Sequence, residues 1–388
     1  MNYNKFVVLY TSNFCSRIND FYNIEEWVSH GYDIEYWDLS SFTCHEHLAD
    51  YKVEGAKIVE VANLKEFDLL VEQCDSTSTL FMTWVNYCWY SAGFYEVLSR
   101  HGCHYAYFDN GLIPPIPSIQ DNSTFTEKMK KKFGQLSITN IKSIIRNKSF
   151  AYHKQKKRLL PAKYYFKIVE SYTGIDKIDA DTTVGWCNSG DFENNRQMTS
   201  SNNNKYIVFL DQYIPYHNDN ILNGQRQVCA EDYYCAINRC FSLIEKKYKL
   251  PVVVAAHPAA TKYKLFNPFE GRMVIFDKTS ELVKNSSFVL AHFTTAISYV
   301  VLNKKKILFL TSNAIKEIRP QTNSYIEYLA QLLGAKCLNQ DTATIEDLKI
   351  DEIDVQKYNQ YKYSYLTNNH SEAKTNFQNI IDLINSSK

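Results

Sequence analysis

The chain has 388 residues, more than one hydrophobic core usually organises, so two domains of roughly 150 to 200 residues each are expected. Hydrophobic residues make up 45% and charged residues 22%, which excludes an intrinsically disordered chain and gives enough apolar surface to offset backbone entropy. The formal net charge of +1 hides an uneven distribution, because Lys128 to Val169 holds thirteen Lys or Arg and no acid. The first residues, MNYNKFVVLYTSNF, lack a basic leader, a long apolar stretch and a small-residue cleavage site, so the ten cysteines are expected as free thiols in the cytoplasm. Cys229, Cys235 and Cys240 have helical rather than zinc-ligand spacing, and no structural metal is expected. No apolar run reaches the ~18 to 20 residues that span a bilayer.

Taken in chain order, the first half alternates short apolar runs with longer amphipathic ones, the pattern of a parallel sheet covered by helices. Lys5 to Thr11, Tyr32 to Trp37, Lys57 to Val61, Thr79 to Trp84 and His104 to Phe108 read as strands, and Tyr87 to Arg100 as a helix. The proline-rich Leu112 to Pro117 can be neither helix interior nor central strand, so it is a loop leaving a strand end, where doubly wound folds place ligands. The block from Lys128 to Val169, with Ile138, Ile141, Ile144, Ile145, Leu159, Leu160, Tyr164, Tyr165 and Phe166 among its lysines, reads as one or more basic amphipathic helices. Such a surface suits anionic lipid headgroups or a polyanionic acceptor, or is an ordinary solvated face. Nucleic acid is not expected, since no recognised binding motif accompanies the charge.

Asp179 and Asp181 form a D-x-D triplet, the pattern of metal-dependent transferases, but no convincing strand precedes them, and they read as solvated. Gly190 to Lys205 is polar and without period, a linker or surface loop. A second α/β series follows: strands Lys205 to Leu210, Val252 to Ala256, Phe288 to His292 and Lys306 to Leu310, with helices Glu231 to Lys249, Ser280 to Asn285 and Ala296 to Leu302. The expected organisation is an N-terminal domain 1–190, a linker 191–204, a C-terminal domain 205–368, and a terminal segment 369–388 containing a helix that packs back on the N-domain. The absence of G-x-G-x-x-G and G-x-x-x-x-G-K-[ST] argues against dinucleotide oxidoreductases and P-loop enzymes.

Three strand ends carry candidate chemistry. In V-V-V-A-A-H-P, His257 and Pro258 follow a buried strand directly; imidazole there can donate a charge-assisted hydrogen bond to phosphate, although many histidines are merely satisfied core groups. In A-H-F-T-T-A-I-S, the hydroxyls of Thr294 and Thr295 precede a helix carrying Ser298, an arrangement equally suited to helix capping and to anion binding. His292 reads as a core or supporting histidine. In H-Y-A-Y-F-D-N-G, Asp109 ends the last N-domain strand before Asn110 and Gly111. It reads as a general base or as part of a common turn. Asp211, Gln212, Tyr216, His217 and Asp219 follow the first strand of the second series and read as donor-side residues or as a capped loop.

The stretch from about Tyr206 to Asn339 resembles the bacterial surface carbohydrate biosynthesis proteins, through F-L-D-Q-Y-I-P-Y-H-N-D-N, E-D-Y-Y, A-A-H-P-A and H-F-T-T-A-I-S. The order D-N-G, H-P, T-T also resembles the bacterial sialyltransferases and Kdo transferases with GT-B folds. That resemblance implies two Rossmann-like domains facing a central cleft. It also implies a base at Asp109, a contact to the phosphate of a CMP-sugar at His257 with Pro258, and further contacts at Thr294 and Thr295. Asn110 stands where those families have a second acid, and Thr294 where they have serine. The function implied is an inverting, metal-independent transferase at the inner face of the membrane. It would move a sialic, pseudaminic or legionaminic acid or Kdo from a CMP donor to a capsule or lipopolysaccharide glycan, free or lipid-linked. The alternatives are a GT-B enzyme using a UDP-sugar, as transferase or epimerase, and a non-catalytic capsule-assembly or glycan-binding protein.

Overall fold

The computed structural model describes residues 3–43, 51–88, 90–109, 112–115, 159–175, 178–198, 205–216 and 226–387. These fall into two compact units, one drawn from 1–110, 118–190 and 368–388, the other from 111–117 and 191–367.

The first unit is built on a seven-stranded, all-parallel sheet in the order β3-β2-β1-β4-β5-β6-β7. Its strands are β1 Lys5–Tyr10, β2 Asp33–Asp38, β3 Lys57–Glu60, β4 Thr79–Thr83, β5 His104–Phe108, β6 Tyr164–Lys167 and β7 Thr183–Trp186. The central strands read as continuous apolar runs because helices cover both faces: β4 is buried along its whole length and β1 at all four inner positions. Helices α1 Ser16–Tyr22, α2 Ile24–Ser29, α3 Ser40–Thr43, α4 Leu64–Glu72 and α5 Ala92–Arg100 lie between the strands in sequence. Asn63 starts α4 by accepting from the amides of Lys65 and Glu66.

The second unit repeats the plan. Strands β8 Ile207–Leu210, β9 Val252–Ala255, β10 Val274–Ile275, β11 Val289–Ala291, β12 Ile307–Thr311 and β13 Lys336–Asn339 form a parallel sheet in the order β10-β9-β8-β11-β12-β13. Its helices are α6 Gly190–Gln197, α7 Ala230–Tyr248, α8 Thr279–Asn285, α9 Ile297–Leu302, α10 Asn313–Ile318, α11 Pro320–Leu333 and α12 Val355–Tyr365. Residue parity decides the face. Ile207, Phe209, Val252, Val254, Leu290 and Leu308 join the apolar stripe Tyr233, Ile237, Cys240, Phe241 and Ile244 of α7. Val208, Leu210, Val253, Val289, Ile307 and Phe309 pack with residues of α8, α9, α11 and α12. Helix α7 carries Glu231 and Asp232 in its first turn and Lys246 and Lys247 in its last, matching its dipole. Helix α11 begins with Pro320 and ends at Gly334, whose φ of 66° suits glycine.

The last helix, α13 Asn376–Ser386, belongs to the first unit, where Phe377 meets the Trp27 ring edge-on at 4.9 Å. Thr375 and Gln378 close a reciprocal capping box at its start. Thr375→Ala is therefore expected to lower the unfolding free energy by about 1 kcal/mol, read from the urea midpoint at unchanged slope.

Several expectations are corrected. Gly190–Gln197, expected within a linker, is helix α6. The basic amphipathic helix expected over Lys128 to Val169 does not extend to its end: Tyr164–Lys167 is β6, with Tyr164, Tyr165 and Phe166 buried in the sheet, while 128–158 lie outside the described residues. The helix expected from Tyr87 starts at Ala92. Asp179 and Asp181 lie in the turn before β7.

Candidate functional site

The second unit gathers polar groups at the carboxyl ends of β8, β9 and β11. After β8 the chain bends at Tyr213, a bulky residue held at φ 53°, a strained setting that recurs at binding sites. The Asp211 carboxylate stabilises the bend by accepting from the Tyr213 amide at 3.1 Å. Burial pushes the Asp211 carboxyl up to about 6, against the pull of surrounding backbone amides and the Tyr263 hydroxyl. Gln212, also buried, accepts from the Phe293 amide at 3.2 Å and so joins the exits of β8 and β11.

His257 stands at the exit of β9. Its Nδ1 accepts from the Ala259 amide at 3.2 Å, which fixes the neutral tautomer with the proton on Nε2 and makes Nε2 a donor. At the exit of β11, His292 is a core histidine: Nδ1 faces the Leu310 carbonyl at 2.6 Å and Nε2 the Tyr233 hydroxyl at 2.9 Å. Burial lowers its pKa to about 4. Thr294 caps a local turn, its hydroxyl accepting from the Ala296 amide at 3.2 Å, and Thr295 is exposed. The residue preceding α9 is Ala296, so neither threonine is the helix cap. With six residues, α9 offers little dipole.

Gln212, His257, Thr294 and Thr295 line one cavity of about 370 Å³, and Arg319 joins them. Arg319 sits at the junction of α10 and α11, one residue before Pro320. Its Nη2 reaches the Arg226 carbonyl at 3.3 Å, its Nε is buried without a hydrogen-bond partner, and it makes no ion pair among the described residues. Burial pushes the guanidinium below its ordinary pKa, because it removes solvent from the charged group. The remaining wall is apolar and aromatic, with Ile113, Pro114, Ile214, Phe293, Tyr325, Leu329 and Tyr361. Tyr325 donates to the Pro114 carbonyl at 2.8 Å, which ties the proline-rich stretch to this unit. A cavity lined by hydrogen-bonding groups, a cation and rings can hold a phosphorylated heterocycle.

Other expected residues stand apart from this cavity. Ser298 is buried, its hydroxyl held by the Asp191 carboxylate and the Thr295 carbonyl. The Tyr216 ring lies tilted against that of Tyr213, centroids 5.3 Å apart, and carries the Lys262 ammonium 4.0 Å from its ring centre. Pro258 and Asp211 do not line it either. Asn110, Gly111, His217 and Asp219 lie outside the described residues.

Asp109 belongs to the first unit and is only 2% exposed. Tyr165 donates to its Oδ1 at 2.8 Å and the Ile168 amide to its Oδ2 at 3.3 Å. Gly174 approaches so closely that a Cβ there would collide with Oδ1. Burial pushes this carboxyl up to about 6. Within the first unit these contacts join the end of β5 to the loop after β6 through the Asp109 carboxyl.

No known protein family matches the chain by sequence, and no curated protein does. Solved structures do match. Wall teichoic acid polymerase TagF aligns over 99% of this chain and 89% of its own, at 12% identity and a TM-score of 0.52. A variant of that enzyme gives 11% identity and 0.51 over the same shares. UDP-GlcNAc 2-epimerase from Methanocaldococcus jannaschii aligns over 98% of this chain and 99% of its own at 11% identity, with a TM-score of 0.47. At such identities the likeness concerns architecture alone: the chain has the GT-B fold, two parallel-sheet α/β units.

Proposed function

We propose that the chain is a nucleotide-sugar enzyme, foremost a glycosyltransferase, whose donor nucleotide occupies the cavity of the C-terminal unit. The observation that carries this reading is that Arg319, His257, Thr294 and Thr295 line one cavity together with an aromatic wall. A guanidinium grips phosphate through two parallel hydrogen bonds, which a lone imidazole cannot do. The pairing of His257 with Arg319 suits a diphosphate better than a monophosphate, so a UDP-sugar is favoured over the CMP-activated nonulosonic acid implied by the motif order. The same groups would stabilise charge on the departing nucleotide as the glycosidic bond breaks. Likeness in fold to a wall teichoic acid polymerase supports transfer to a cell-surface polymer ahead of epimerisation.

A thermal-shift panel of UDP, CDP, UMP and CMP tests the donor. A bound nucleotide at 100 times its Kd stabilises the fold by about 2.7 kcal/mol through mass action. Stabilisation by UDP well above that by CMP and UMP supports the reading, and stabilisation by CMP alone returns the donor to a CMP-sugar.

A further inference from the structure

Between β9 and β10 the chain runs through one short 3-10 helix, Thr261–Lys264, and an irregular segment whose tip leaves two large apolar side chains in solvent. Leu265 is 92% exposed and Phe266 72%, and Met273, where the loop returns, is 63% exposed. This exposure is not slack. Tyr263, just before the tip, is buried and hydrogen-bonded to Tyr234 at 2.8 Å; Phe269, just after it, is fully buried against Phe209 and Phe241. Asn238 donates to the Pro268 carbonyl at 2.8 Å, and the Asn267 side chain clasps both limbs, accepting from the Phe269 amide and donating to the Arg272 carbonyl, each at 2.9 Å. Anchors on both sides therefore present Leu265 and Phe266 outward on a fixed support.

Within the tip itself the charge has one sign, while Glu270, exposed just beyond it, pairs with Arg272. From Ala260 to Phe269 the only charged residues are Lys262 and Lys264, both exposed. Arg272 does not add to them, being paired with Glu245 at 2.9 Å and Glu270 at 3.5 Å. Rigid apolar side chains flanked by lysines match the boundary of an anionic bilayer, where rings and branched chains enter the acyl edge and ammonium groups meet lipid phosphates.

We propose that the tip formed by Lys262, Lys264, Leu265 and Phe266, with Met273 beside it, is a membrane-contact element that seats the C-terminal unit on an anionic lipid surface. The inference does not rest on the donor assignment.

The test is flotation of the full chain with vesicles of phosphatidylcholine containing phosphatidylglycerol, and with phosphatidylcholine alone. Wild type is expected to float with the anionic vesicles and to release as salt rises. The double variant L265S/F266S is expected to lose at least about tenfold in partitioning, with melting temperature and nucleotide-induced shift unchanged. The pair K262Q/K264Q is expected to erase the preference for phosphatidylglycerol. Equal flotation of L265S/F266S and wild type overturns the proposal, as does absence of wild-type flotation. A fall in the sedimentation coefficient of L265S/F266S without vesicle binding by wild type would identify a contact between copies of the chain, and also overturns it.

Discussion

Arg319→Ala is expected to weaken UDP binding by roughly ten- to a hundredfold, the usual scale for losing a charge-assisted contact, while the unliganded protein keeps or slightly raises its melting temperature. The two halves of this expectation have one cause. Without ligand, Arg319 is a partly buried cation with an unpartnered Nε and no carboxylate among the described residues, so its removal takes away an unfavourable group. With a diphosphate in the cavity, the same guanidinium gains an anion at short range in a low dielectric. Arg319→Lys keeps the charge but loses the planar fork, and is expected to fall between wild type and Arg319→Ala. Isothermal titration with UDP, paired with calorimetric melting, checks both halves. A large loss of stability in Arg319→Ala would mean that the residue is structural.

The Asp211→Asn variant is expected to gain stability over wild type by about 3 kcal/mol as pH rises from 4 to 6, on top of any constant offset. The folded carboxyl titrates at about 6 against an ordinary value of 3.8. Below pH 4 it is neutral in both states and has no differential effect. Between 4 and 6 the unfolded chain ionises freely while the folded one resists, so wild-type stability falls through this window; above 6 the loss is complete. The amide of the variant does not ionise, and that slope disappears. Asp109, shifted to about 6 for the same reason, contributes its own slope, so the variant is expected to flatten the profile by about half. Urea unfolding at several pH values measures this directly. Parallel profiles would show that Asp211 is solvated or better paired than its burial implies.

The strands most visible in the sequence were those buried on both faces, since β1, β4, β8, β9 and β12 are short apolar runs whatever surrounds them. Strand β6 was hidden because its Tyr-Tyr-Phe core lies between Lys163 and Lys167, so that one face of a strand looked like one face of a basic helix. Helix α6 gave no period because its only buried residue is Glu193, a charged one. In the candidate site, His257, Thr294 and Thr295 were legible because their strands end where parallel sheets bind ligands. Arg319 was not, since it follows no strand; its one local signal is the proline after it, which opens α11. The aromatic wall joins Phe293, Tyr325 and Tyr361 from three separate elements, which no local pattern reveals. Asp109 was found at its strand end, but its neighbours Tyr165 and Gly174 lie more than fifty residues onward, so no local pattern reveals what holds its carboxyl.

The most direct measurement is a crystal structure of the chain grown with UDP. The account predicts phosphate oxygens against Arg319 and the Nε2 of His257, with the uracil ring along the wall formed by Phe293 and Tyr325. UDP bound on another surface, with that cavity vacant, would contradict it.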